Sequence, residues 1–388
     1  MKKVTVKPNR DYPVRRGHFW LFSGALNRDY SEIGEGELVQ VLASDGKPLG
    51  VGHWGKSSIA VKMLQFGEKE LSNDFWALRI SAAKRVREEL GLLSDPSTDS
   101  YRLVNGEGDS LPGLIVDIYG SNAVLQYHSA GMAMHEEQIA AALESVYAGK
   151  ITSAFRLSEI KHSTLGGSGY IFGNAELPYT ICESGHRFLV DWQSGQKTGF
   201  FLDQRVNRGL LAGVSAGRTV LNAFCYSGAF SVYALAAGAK RVVSLDSSKQ
   251  AAGLAVRNVE LNGLAAAHEM VVSDYQSYIA SASEPFDFII LDPPAFAKNR
   301  RSITSGKEGY VKINRAAMEK IAGPGLLGTF SCSQLVSRDE FLECLQEAAF
   351  LARRSLRRVA EMHQAPCHPV HLQHPEGEYL KGFLLWVD

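Results

Sequence analysis

The chain has 388 residues, 45% hydrophobic and 21% charged, with a formal net charge of zero, a composition that suits two or three globular domains with sizeable cores. Balanced charge, with a sequence pI of about 7.2, excludes a global electrostatic pull on nucleic acid, so any such binding has to come from local patches. No stretch is apolar enough for a membrane span, Met1-Lys2-Lys3 leads into no signal-peptide core, and Cys182, Cys225, Cys332, Cys344 and Cys367 lack paired spacing; a cytoplasmic protein with no membrane partner, no disulfide framework and room for one reactive thiol is expected.

Residues 1–70 read as a small β-barrel domain. Short apolar runs at 39–42, 49–52 and 59–63 are separated by turns such as Ser44-Asp45-Gly46-Lys47-Pro48. Lys2, Lys3, Lys7, Arg10, Arg15 and Arg16 stand against Asp11 alone and precede His18-Phe19-Trp20. Cations beside rings suit phosphates and unpaired bases, and equally a solvated tail ahead of core aromatics. The run Arg15-Arg16-Gly17-His18-Phe19-Trp20-Leu21-Phe22-Ser23-Gly24 resembles the opening of PUA RNA-binding domains, which favours RNA.

Residues 71–190 read as a middle α/β domain. Asp74 caps a predicted helix with Phe75, Leu78, Ala82 and Val86 on one face, and strand patterns at 113–119, 123–127, 153–157 and 187–190 surround a helix at 135–147. Residues 191–388 form the third domain. It opens with the polar and aromatic cluster Gly195 to Arg205, which suits a loop over a cofactor or a helix entry capped by Asp203. The stretch 219–247 then reads as strand, tight loop, helix and strand, ending on Asp246. An acid about 20 residues after such a turn is placed to accept from ribose hydroxyls. Asn222 to Gly228 carries one glycine where a dinucleotide loop needs three, so an adenosine cofactor without pyrophosphate is expected, S-adenosylmethionine in place of NAD. Further strands end at Asp274, Asp292 and Cys332, and a parallel sheet brings those ends and Asp246 together.

Asp292-Pro293-Pro294-Ala295-Phe296 combines an acid, a stiff backbone and a stacking ring, which describes a pocket for a flipped nucleobase. Lys298, Arg300, Arg301, Lys307, Lys312 and Arg315, against Glu308, read as a phosphate track. A helix at 339–352, a strand near Val359 and a strand at 382–387 close the chain. His363, Cys367, His368, His371 and His374 lie in the loop between those strands with spacings that match no metal-ligand pattern, so no metal is expected.

Through RRGHFWLFSG, SYRLVNGEGDSLPGLIVDIYG, GQKTGFFLDQR, LNAFCYSGAFSVYAL, LDPPAFAK, GTFSCS and YLKGF, the chain resembles bacterial 23S ribosomal RNA cytosine-5 methyltransferases, which join an N-terminal PUA domain to a class I, Rossmann-like methyltransferase domain. The resemblance implies S-adenosylmethionine contacts from Gln196, Lys197, Thr198, Phe201, Asp203, Arg205, Asn222, Phe224, Tyr226, Gly228, Asp246, Asp274 and Asp292. It implies a Cys332 nucleophile working with Asp292, a base pocket at Pro293, Pro294, Phe296 and Lys298, and 23S RNA or a large-subunit precursor as partner; a homodimer stays open. The segment 155–169 lacks the family's Arg-Ser-Asp and Glu-Gly-Leu pattern, and Cys225 stands where serine is common. A thiolate adding to C6 of a pyrimidine makes C5 enamine-like and able to attack a sulfonium methyl, the chemical reason for a cysteine at that strand end. Methylation of a nitrogen, or an RNA-binding assembly factor with a vestigial cofactor fold, are the alternatives the sequence leaves.

Overall fold

The computed structural model describes residues 1–158 and 167–388, so most of the departure at 155–169 lies outside the described residues. Two units form: the first from Met1–Ile181, Val190–Leu202 and Pro366–Gly377, the second from Cys182–Leu189, Asp203–Ala365 and Glu378–Asp388. Among the described residues no helix is long and apolar enough to cross a membrane.

In the first unit, β1 (Lys2–Thr5), β2 (Trp20–Phe22), β3 (Leu38–Leu42), β4 (Pro48–Trp54) and β5 (Ile59–Phe66) form a sheet ordered β1-β3-β4-β5-β2, with the short helix α1 (Tyr12–Arg15) before β2. The alternation of β3 turns Val39 and Val41 into a core shared with Val4, Leu21, Trp54 and Val61. Phe19 joins the interior, with its ring 5.3 Å from Phe66 and 5.0 Å from His371, so it offers no face to a base. Lys2 pairs with Glu37 and Arg15 with Asp11, which neutralises part of the basic run.

Helix α2 (Phe75–Glu89) turns a different face inward from the one its apolar spacing predicts. It buries Phe75, Trp76, Ile80, Ala83 and Arg87, whereas Leu78 and Val86 are 57% and 42% exposed; Asp74 stands at its N-cap without a side-chain cap bond. Arg87 is the reason. Its guanidinium lies fully buried and donates to both carboxylate oxygens of Asp109 and to the carbonyls of Ala83, Arg102 and Cys367. A rigid fork of donors with that many acceptors orients a helix that apolar periodicity alone misassigns.

The second sheet of this unit is ordered β10 (Gly169–Phe172), β9 (Ser153–Leu157), β8 (Asn122–Tyr127), β7 (Leu114–Tyr119), β6 (Ser100–Asn105). Strands β8 and β9 run parallel, and α3 (Ala130–Met134) and α4 (Glu136–Val146) supply the crossover that a parallel pair requires. A hairpin of β11 (Tyr179–Glu183) and β12 (His186–Val190) follows.

The second unit opens with α5 (Arg205–Ala212) and alternates strands and helices: β13 (Thr219–Ala223), α6 (Ala229–Ala236), β14 (Arg241–Asp246), α7 (Lys249–Leu261), β15 (His268–Val272), α8 (Tyr275–Ser281), β16 (Phe286–Leu291), α9 (Ile303–Lys320), β17 (Ile321–Ser331), α10 (Arg338–Ala352), β18 (Leu356–Met362) and β19 (Lys381–Val387). The sheet order is β15-β14-β13-β16-β17-β19-β18. The first five strands are parallel, and β19 inserts antiparallel between β17 and β18. Val220, Leu221 and Phe288 to Leu291 are buried because helices cover both faces, hence their unbroken apolar runs. Strand order reverses between β13 and β16, where α/β folds open a crevice at the carboxyl ends.

Because Asp109 is the one ionised partner of the buried Arg87 among the described residues, Asp109→Ala should destabilise the first unit by about 3–5 kcal/mol. Urea unfolding followed by circular dichroism measures this, and an unchanged midpoint contradicts it.

Candidate active site

At the carboxyl end of β13 the chain turns through Phe224 at φ +59°, Tyr226 at φ +45° and Gly228 at φ +71°. Two of these are bulky residues in the left-handed region, a strain that persists only where neighbours enforce it. The enforcing neighbour is Asp246, at the tip of β14. Its Oδ2 accepts from the Tyr226 amide at 3.0 Å and its Oδ1 from the Ser248 amide at 2.9 Å. Each carboxylate oxygen keeps a free lone pair, so Asp246, half-buried at the crevice, retains the capacity to accept from a ribose. A Cβ on Gly228 would lie 2.9 Å from the Ala255 Cβ and 3.1 Å from its Cα; glycine is needed both for the turn and for the close approach of α7.

Across the switch point, the turn after β17 docks on the loop after β16. The Cys332 Sγ lies 3.9 Å from the Pro293 carbonyl; Ser333 Oγ accepts from the Ala297 amide at 3.2 Å and meets the Tyr310 hydroxyl at 2.9 Å. The Phe296 ring packs on Tyr310 with centroids 4.8 Å apart, while Pro294 and Lys298 are exposed. Asp292 accepts from Gln204 Nε2 at 3.0 Å, and Gln204 is itself held by Asn207 at 2.6 Å. The half-buried Cys332 thus stands beside a rigid proline wall and a ring.

Lys381 completes this group, and sequence reasoning missed it. Register pairs it with Ser331, and its Nζ donates to the Ser333 carbonyl at 2.6 Å. Burial pushes its pKa down to about 8, against an upward pull from Cys332. The signal available in sequence was a lysine at the start of an otherwise apolar terminal strand.

The other predicted site residues have varied places. Asn222 is buried and donates to Ser231 Oγ, which meets Ser244 Oγ, so its amide ties α6 to the sheet. Asp203 accepts from the Tyr379 hydroxyl at 2.6 Å instead of capping α5. Arg205 pairs with the fully buried Glu183, alongside Arg208, which makes it part of an internal ion cluster. Asp274 lies past the end of β15 as the exposed N-cap of α8, its carboxyl held below the usual range chiefly by the Ser277 amide. Gln196, Lys197, Thr198 and Phe201 belong to the first unit. There Thr198 donates to the buried Asp117 at 2.6 Å, and the Lys197 ammonium lies 5.1 Å over the Phe201 ring. In the expected phosphate track Lys307 is bridged to Glu340 and Glu343 and Arg315 to Glu319, leaving Lys298, Arg300, Arg301 and Lys312 as its exposed cations. Burial pushes the Cys225 thiol well above its ordinary range and also raises Cys344.

A family profile for S-adenosylmethionine-dependent methyltransferases matches residues 155–371, and one for PUA-like domains matches residues 4–66. The chain belongs to the S-adenosylmethionine-dependent methyltransferase family. It is 37% identical over 98% of both chains to the ribosomal RNA large subunit methyltransferase I of Erwinia tasmaniensis, and 36% identical over 97% of both to that of Aeromonas hydrophila. The crystal structure of SMU.776, a methyltransferase complexed with SAH, superposes over the whole of both chains with a TM-score of 0.87 at 25% identity. A Streptococcus mutans methyltransferase structure gives 0.86 at 26%, again over the whole of both. The protein is therefore an S-adenosylmethionine-dependent methyltransferase. Its single-glycine loop and the spare acceptor capacity of Asp246 fit an adenosine without a pyrophosphate.

Asp246→Ala should weaken S-adenosylmethionine binding by about 1–3 kcal/mol, the size of lost hydrogen bonds to a charged acceptor. Calorimetry of the two proteins decides it; equal affinities would remove Asp246 from the cofactor site.

Proposed function

We propose that this methyltransferase modifies C5 of a cytidine in 23S ribosomal RNA through a thiolate adduct of Cys332. The observation that carries the proposal is a half-buried cysteine at a strand tip, set against the Pro293 carbonyl and next to the Lys381 ammonium. Large-subunit ribosomal RNA is the target named for the Erwinia and Aeromonas relatives, and their likeness over nearly the full length supports the same substrate class here.

S-adenosylmethionine supplies a methyl group on a sulfonium, a strong electrophile. The residues of the chain have to make C5 nucleophilic. Cys332 as thiolate adds to C6, breaking the 5,6 double bond and leaving C5 enamine-like; after C5 is methylated its proton is lost, and elimination of the thiolate restores the ring. A positive charge at Lys381 stabilises the thiolate as attacking and leaving group. Asp292 serves as acceptor for the cytosine amino group while Pro293, Pro294 and Phe296 bound the base, with Lys298 toward the phosphates.

The N-terminal sheet is proposed to contact RNA through a cleft of about 610 Å³ lined by Lys7, Arg28, Lys56, Tyr30 and Trp54 among others. Arg28 lies 4.1 Å over the Tyr30 ring, a cation and stacking face suited to a nucleotide. Replacing Lys7 and Lys56 together by alanine should reduce the slope of log affinity against log salt by about 1.5, two phosphate contacts at ~0.7–0.9 each, with cofactor affinity unchanged. An unaltered slope would place the RNA contact elsewhere.

RNA carrying 5-fluorocytidine at the target should be methylated once and stay attached, because fluorine does not leave C5 as a proton does. The covalent band should require S-adenosylmethionine and vanish in Cys332→Ala, while Cys225→Ala and Cys344→Ala still trap. Lys381→Met should slow trapping by about 10- to 100-fold, the effect of losing ~1.5–3 kcal/mol of interaction with a charged group. Wild-type turnover by Cys332→Ala on ordinary RNA would sink the adduct, and methylated product without a trapped species would point to a ring or amino nitrogen instead.

A further inference from the structure

The last stretch of the first unit, Pro366–Gly377, brings two side chains against the N-terminal sheet. His18 Nε2 lies 3.2 Å from Glu376 Oε1 and 3.3 Å from Oε2, and His374 Nδ1 lies 3.5 Å from Glu376 Oε2. One donor atom from each of the three residues lies within 4.8 Å of the others. Metal bonds of about 2.0–2.1 Å at tetrahedral angles separate neighbouring donor atoms by about 3.4 Å. The two contacts to Glu376 already have that spacing.

Both imidazoles are arranged as ligands. His374 is 2% exposed, and among the described residues its Nδ1 has no hydrogen-bond partner; a buried ring nitrogen left so pays the desolvation cost that an ion would offset. His18 Nδ1 lies 3.1 Å from the Trp20 carbonyl and 3.2 Å from the Trp20 amide nitrogen, contacts that hold the ring with Nε2 toward Glu376. Ring packing fixes both: the His374 centroid lies 4.4 Å from that of Trp20 and 4.9 Å from that of His18. The neighbouring Lys62 ammonium, which would repel a cation, lies 3.8 Å from Glu107, whose carboxylate also accepts from the Trp20 indole.

We propose that His18 Nε2, His374 Nδ1 and a Glu376 carboxylate oxygen bind one divalent transition-metal ion, zinc by the donor set, with solvent as the fourth ligand on the exposed side of Glu376. Two imidazoles and a carboxylate around an open position are a zinc donor set. The ion would join positions 358 residues apart in the chain and fasten the 366–377 segment to the turn before β2. It is separate from the methyl-transfer chemistry and stands whether or not the target is C5 of cytidine.

Full-length protein stripped with a chelator and dialysed should bind zinc chloride with one-to-one stoichiometry by calorimetry, and cobalt(II) should give the visible absorption of a four-coordinate nitrogen and oxygen site. Zinc should raise the thermal midpoint of wild-type protein. His18→Gln and His374→Gln should each weaken zinc binding by more than about 100-fold, beyond the cost of losing an outer-shell partner, with S-adenosylmethionine heats unchanged as the check on folding. Glu376→Gln, an exposed change, should weaken it without altering the apo midpoint. Absence of zinc binding at micromolar concentration, or equal binding by wild type and all three variants, overturns the site and leaves a plain His18–Glu376 hydrogen bond.

Discussion

The active-site end of the second unit depends on the antiparallel ladder between β17 and β19. Its seven pairs run from Gly325 with Val387 to Ser331 with Lys381, so the start of the terminal strand is held opposite the end of the strand that presents Cys332. Gly382 makes the pairing fit: a Cβ there would come 2.5 Å from the Phe330 ring and 2.9 Å from the Met362 Cβ. A slip of one residue would turn Lys381 to the other face of the sheet, since strand side chains alternate. Closeness of a cation to the cysteine is therefore a consequence of strand register.

Buried ion pairs do comparable work for the loops. In the first unit Asp117 is fully buried, paired with Arg102 at 2.8 Å and accepting from Thr198, which pins the 196–201 loop from inside. In the second unit Glu183, also fully buried, gathers Arg205, Arg208 and the Tyr233 hydroxyl; α5 starts at that anchor, and Gln204 beside it reaches Asp292. Such pairs cost desolvation and add little net stability over apolar packing. What they contribute here is position, because a satisfied carboxylate accepts from several directions and each donor fixes a segment.

Strain is concentrated in the loop after β13. Phe224 and Tyr226 adopt the left-handed backbone that glycine takes at 228, and the Asp246 carboxylate holds the Tyr226 amide. The same acid that suits a ribose thereby shapes the loop around it. The bonds from Asp246 to the Tyr226 and Ser248 amides explain how a loop with a single glycine holds so tight a turn.

Apolar periodicity and turn residues were enough to read the parallel strands of the second unit, the helices after β13 and after β17, the single-glycine loop, the acid at the tip of β14 and the cysteine after β17, because each rests on neighbours a few positions apart in the chain. The same logic failed on α2, where Leu78 and Val86 face solvent and Arg87 faces in: apolar spacing does not register a charge whose partner, Asp109, comes 22 residues later. Tertiary structure alone decided that Arg205 serves Glu183, that Asp203 holds Tyr379, that Lys381 stands by Cys332, and that His18 meets His374 and Glu376. These are polar contacts between distant segments, set by sheet register and chain crossover. Local sequence carries the hydrophobic period that builds an element, whereas the partner of a buried polar group is chosen only when the elements pack.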